Sequence, residues 1–93
     1  MAIPTLIIIN GIDIPIFQVK HLIRDYSRYG EFSSADMSIT LDEDMSNQKK
    51  ELILCHEIIE AIIDIYALDV DHKSIQPLAA AFYHIIKTKQ VEF

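Results

Sequence analysis

The chain has only two glycines, three prolines, one cysteine and no tryptophan in 93 residues, and each shortage excludes something. So few glycines and prolines leave no room for a collagen-like repeat or a low-complexity linker. With 51% hydrophobic and 24% charged residues, the composition is that of an ordered, folded chain. Cys55 stands alone and has no internal disulfide partner, so a stapled secreted scaffold is excluded and a reducing, intracellular setting is expected. Positive charge is scarce: eight Lys and Arg face fourteen Asp and Glu, for a net charge of −6. The few cations are scattered, which argues against binding to a phosphate backbone, and no nucleic-acid partner is expected. No apolar run approaches membrane-spanning length, and the start "MAIPTLIII" lacks the basic segment of a signal peptide. These absences point to a cytoplasmic protein without a membrane partner, and the length suits a single domain with one core.

What is present reads as strands followed by helices. "TLIIINGIDIPIFQV" holds two β-branched runs joined by Asn10 and Gly11, the dipeptide of a type I′ hairpin turn. Pro15 cannot donate to a ladder, which predicts that the second strand lies at an edge or is bulged there. "KHLIRDYSRYGEFSSADM" predicts a short helical turn and then a strand. "MSITL" alternates, with Met37, Ile39 and Leu41 on one side, and ends at the acidic turn "DED". Ser46 is a suitable N-cap, and no glycine or proline interrupts the chain from there to Leu68, so one helix is expected over 46–68. Its apolar positions cover well over half the circumference, which calls for a sheet on one flank and a second helix on the other. "SIQPLAAAFYHIIK" supplies that helix within 72–88, with Ser74 as its expected cap and Pro77 in the first turn. The expected class is α+β, with residues 1–42 mainly β.

The chemistry-bearing stretch is "LILCHEIIEAIIDIY". His56 and Glu60 are four residues apart and share one helix face, with Glu57 beside them. In HExxH zinc hydrolases two histidines hold the metal and the glutamate activates its bound water. Here Glu60 replaces the second histidine, and a carboxylate is an accepted zinc ligand. A third ligand has to come from elsewhere, and His72, near the start of the second helix, is the candidate, with Asp64 as a substitute or a second-layer partner. The same spacing also fits a plain alternative, in which His56, Glu57, Glu60 and Asp64 form the solvated arc of an amphipathic helix. Spacing leaves both readings open. Cys55, Tyr66 and Tyr83 read as core residues, His84 as partly buried and His21 as surface.

Taken in order, "IPTLIIINGIDIPI", "MSITLDEDMSNQKKELILCHEIIEAI" and "LDVDHKSIQPLAAAFYHII" resemble a family of small bacteriophage proteins related to the zincin metallopeptidases. The common form of that family's helix reads like LLHEILHAI. A sub-branch reads HEIIEAI with a histidine opening the last helix, where His72 stands here. The resemblance covers nearly the whole chain and implies a minimal zincin-like core: a small antiparallel sheet, an active-site helix and a supporting C-terminal helix. It implies His56 and Glu60 as ligands of one Zn²⁺ and Glu57 as the catalytic base of a phage-encoded metallopeptidase, with His72 the candidate to complete the ligand set. A peptide substrate would lie along an edge strand, expected at residues 37 to 41. The rival expectation is a catalytically inactive protein on the same scaffold that binds or inhibits a host protein.

Overall fold

A computed structural model describes residues 3–26 and 28–93, without the side chains of residues 25 and 26. The first two residues of the opening run, and Ser27 in the connection read as a helical turn, lie outside it. The elements are β1 (Leu6–Ile9), β2 (Ile12–Val19), α1 (Leu22–Tyr26), β3 (Gly30–Ser33), β4 (Ser38–Asp42), α2 (Asn47–Ile65), a 3₁₀ turn (His72–Ser74) and α3 (Ile75–Lys87). The class is α+β. Among the described residues no helix is long and apolar enough to cross a membrane.

The hairpin forms where Asn10 and Gly11 supply it, with φ of 50° and 75° and Ile9 paired to Ile12. The sheet order is β1-β2-β4-β3. It is mixed rather than wholly antiparallel, because β2 and β4 run parallel while the other two pairs are antiparallel. Parallel pairing needs a long crossover, and residues 20–37 provide it through α1 and β3. Pro15 therefore lies in an inner strand, not at an edge. Ile16 N–H donates to the Thr5 carbonyl at 2.9 Å, so by alternation the Pro15 nitrogen faces away from β1. On that side pairing with β4 begins only at Ile16, so the missing donor costs no ladder bond.

Ile14, Ile16, Ile39 and Leu41 point from the sheet into one core with Leu54 and Ala61 of α2. Ser46 caps α2, accepting from the Lys49 amide at 3.3 Å. Ser74 makes no such bond to α3; Asp71 instead accepts from the Lys73 amide and caps the 3₁₀ turn that leads into the helix. Met37 belongs to the β3–β4 turn, at φ 50°, rather than to the strand. Tyr66 and His84 are exposed instead of packed, while Cys55 is half-buried.

Two polar anchors hold the layers in place. Asp42, 1% exposed at the end of β4, accepts from the amides of Ile23 at 2.6 Å and Asp44 at 2.7 Å. These bonds, led by that of Ile23, hold its carboxyl below the usual range. Glu51 of α2 accepts from the Tyr83 hydroxyl at 2.7 Å and the Lys87 ammonium at 3.0 Å, tying α3 to α2.

Gly30 sets how closely β3 approaches α2. A Cβ there would lie 2.7 Å from Ile53 Cγ2 and 3.3 Å from the Thr40 carbonyl oxygen, so any side chain would push the strand off the helix. Gly30→Ala is expected to cost about 1–3 kcal/mol of stability through overpacking. A urea midpoint equal to that of the parent chain would show that the contact relaxes freely.

Candidate metal centre

One turn and a neighbouring position of α2 build the site. His56, Glu57 and Glu60 offer ligand atoms that all lie within 4.8 Å of one another. His56 Nε2 is 3.7 Å from Glu60 Oε2, too long for a good hydrogen bond. It is close to the separation of about 3.3 Å between two donors on a tetrahedral zinc ion.

The polar arc does not simply meet water. Glu57 is 5% exposed, because β3 packs across it, while His56 and Glu60 side chains are 21% and 29% exposed. Burial pushes the Glu57 carboxyl up to about 8, helped by the hydrogen bond and negative charge of Glu60 and opposed by a hydrogen bond from the Phe32 amide. At neutral pH Glu57 therefore keeps its proton. A cation replaces that proton with the charge the pair lacks, so the group His56, Glu57 and Glu60 is suited to hold a metal ion.

His56 is oriented by a residue that sequence reasoning did not single out. Its Nδ1 is 2.8 Å from Gln76 Oε1, in the first turn of α3. With the Gln76 oxygen as acceptor, the tautomer that satisfies this contact carries its proton on Nδ1, and Nε2 lies on the Glu60 side. No spacing rule links positions 56 and 76, so only the packing of α3 on α2 exposes the pair. His72 comes close to Glu60, with Nδ1 at 4.0 Å from Oε1, but its side chain is 82% exposed. Asp64 is exposed and shares a shallow cleft of about 270 Å³ with Phe32, Ser34, Glu60 and Ile63. A second cleft of about 290 Å³, lined by Arg28, Tyr29, Gly30, Ile53, His56, Glu57 and Gln76, borders His56 and Glu57.

The edge beside the site is β3, not residues 37 to 41. β4 is enclosed between β2 and β3 because its parallel pairing with β2 takes one side and β3 the other. Asp42 N–H donates to the Tyr29 carbonyl at 2.9 Å, so alternation turns the amides of Gly30 and Phe32 away from β4, onto the free edge. That is why the Phe32 amide can reach Glu57.

No family model matches the chain, and neither a curated protein nor a solved structure does.

The raised Glu57 carboxyl has a consequence for stability. An unfolded glutamate ionises near pH 4.3, so between about 4.3 and about 8 the folded chain holds a proton that the unfolded chain has lost. Stability of metal-free protein is expected to fall across that interval, by more than about 1 kcal/mol. Glu57→Gln removes the titrating group, so the variant should be the more stable of the two at pH 8 while the gap closes toward pH 4. Parallel urea-stability curves for the two proteins would refute this assignment.

Proposed function

We propose that the chain is a zinc-dependent hydrolase of the metallopeptidase type, encoded by a phage and acting in the host cytoplasm. The observation that carries the reading is the cluster of His56, Glu57 and Glu60, with Glu57 buried between helix and edge strand. His56, through Nε2, and Glu60 are the proposed ligands. His72 joins them by turning about its side-chain torsions from its present place beside Glu60. Zinc in such a site supplies Lewis acidity to a peptide carbonyl and acidity to its bound water. Glu57 takes the proton of the attacking water and passes it to the leaving amine. Gln76 keeps His56 in the tautomer that leaves Nε2 bare. An extended peptide lying along β3 meets the two shallow clefts on either side of the cluster. The resemblance to small phage zincin-like proteins supports the same assignment of roles.

The rival reading, an inactive scaffold that binds or inhibits a host protein, draws on a different observation. The outer face of the sheet carries Leu6, Ile8 and Phe17 at 47%, 64% and 52% exposure, an apolar surface left open by the described residues.

Metal content by mass spectrometry, on protein purified without a metal-affinity tag, separates the possibilities. The hydrolase reading expects about one zinc per chain. It also expects loss of the metal in His56→Ala, and a Glu57→Gln variant that keeps zinc but cleaves no peptide. Weaker zinc retention in His72→Ala marks it as the third ligand. Zinc-free protein even after incubation with the ion, or normal cleavage by Glu57→Gln, would overturn the proposal.

A further inference from the structure

The two clefts beside the metal cluster differ in charge. The one toward the end of β3 is walled by Phe32 and Ile63 and completed by Ser34, Glu60 and Asp64, so it offers acceptor oxygens and no cation. Among the described residues the Asp64 carboxylate has no hydrogen-bond or ion-pair partner, and Lys73, the lysine closest to it in sequence, is tied to Asp71 instead. Glu60 is a proposed zinc ligand, and His72 stands beside it, so its charge is met by the metal site. Asp64 is then the charge that the cleft keeps. The cleft toward Gly30 has none to spare: Arg28 is paired with Glu31, Glu57 keeps its proton, and His56 meets the Gln76 amide.

We infer that the proposed hydrolase selects a lysine or arginine beside the cleaved bond, its side chain received between Phe32, Ile63, Ser34 and Asp64. A long basic side chain combines an apolar stem with a cationic tip. Here the stem lies between Phe32 and Ile63, and the tip meets the Asp64 carboxylate and the Ser34 hydroxyl. An acidic side chain would face a like charge, and an aliphatic one would leave Asp64 without a partner. At about 270 Å³ the cleft is smaller than the roughly 300–1,000 Å³ of sites that enclose a whole ligand, so it suits one side chain of a longer chain. Its position fits that use. Glu60 borders both the cleft and the metal cluster, and Phe32 is the β3 residue whose amide reaches Glu57. An extended peptide on the free edge of β3 with a carbonyl at the cluster therefore has a neighbouring side chain at this cleft.

Because the selectivity rests on the hydrolase reading, cleavage and binding are measured separately. The zinc-loaded chain is given peptides that differ only in carrying Lys, norleucine or Glu on either side of the cleaved bond. Norleucine keeps the unbranched stem and lacks the charge. On one side of the bond only, kcat/KM is expected to be about two- to fivefold higher for Lys than for norleucine, with Glu lower than both, as for an ion pair that water still reaches. The difference is expected to vanish in about 1 M salt. Asp64→Asn should bring the Lys-to-norleucine ratio to about one while retaining zinc, and Asp64→Lys should favour Glu. A ratio of one in the parent, a ratio unchanged by Asp64→Asn, or loss of zinc from Asp64→Asn, which would make Asp64 a ligand, would overturn the proposal. Where the zinc-loaded chain cleaves none of the peptides, the hydrolase reading fails, and titration of the ¹⁵N-labelled chain with the same peptides decides. Tighter binding of the Lys peptide, with shifts at the Ser34 and Asp64 amides, upholds the basic-residue cleft, and equal binding of the three overturns it.

Discussion

The close approach of β3 to α2 at Gly30 is the constraint on which the site depends. Helix and strand meet there with no room for a Cβ, and the next inward residue of β3, Phe32, then presents both its side chain to the core and its amide to Glu57. The strand excludes water from that carboxyl. On a solvated helix an HExxE would leave both glutamates in water, but under β3 Glu57 is buried and its carboxyl is raised to about 8.

Among the described residues, three buried carboxylates show how their neighbours decide their charge. Asp42 is held below the usual range by backbone amides, and Glu51 by the Tyr83 hydroxyl and the Lys87 ammonium. Both are structural: one anchors the start of α1 to the end of β4, the other fastens α3 to α2. Glu57 has burial and another carboxyl as its leading influences, against a single amide. Its charge is poorly compensated by the protein itself.

The fold was legible wherever a local rule applied. Asn10 and Gly11 announced the hairpin turn, Ser46 announced α2, and the alternation of Ile39 and Leu41 announced their burial. Elsewhere the decision was not local. Pro15 suggested an edge strand, yet it sits where β2 passes from one neighbour to the next. The sheet was expected to be antiparallel, but the connection through α1 and β3 returns β4 parallel to β2. Tyr66 and His84 were expected to pack, but His84 is exposed because α3 buries only Ile75 and Ala79, and Tyr66 is exposed because it stands at the C-terminal cap of α2, where the helix ends.

For the site, the sequence by itself determined which groups share one face of α2: His56, Glu57 and Glu60 follow from helical periodicity, which is a property of neighbouring residues. Only the tertiary structure decided which of them is buried, which hydrogen bond orients His56, and which strand edge lies beside them. Those answers depend on contacts between residues twenty or more positions apart, such as His56 with Gln76 and Glu57 with Phe32, and no local spacing encodes such contacts.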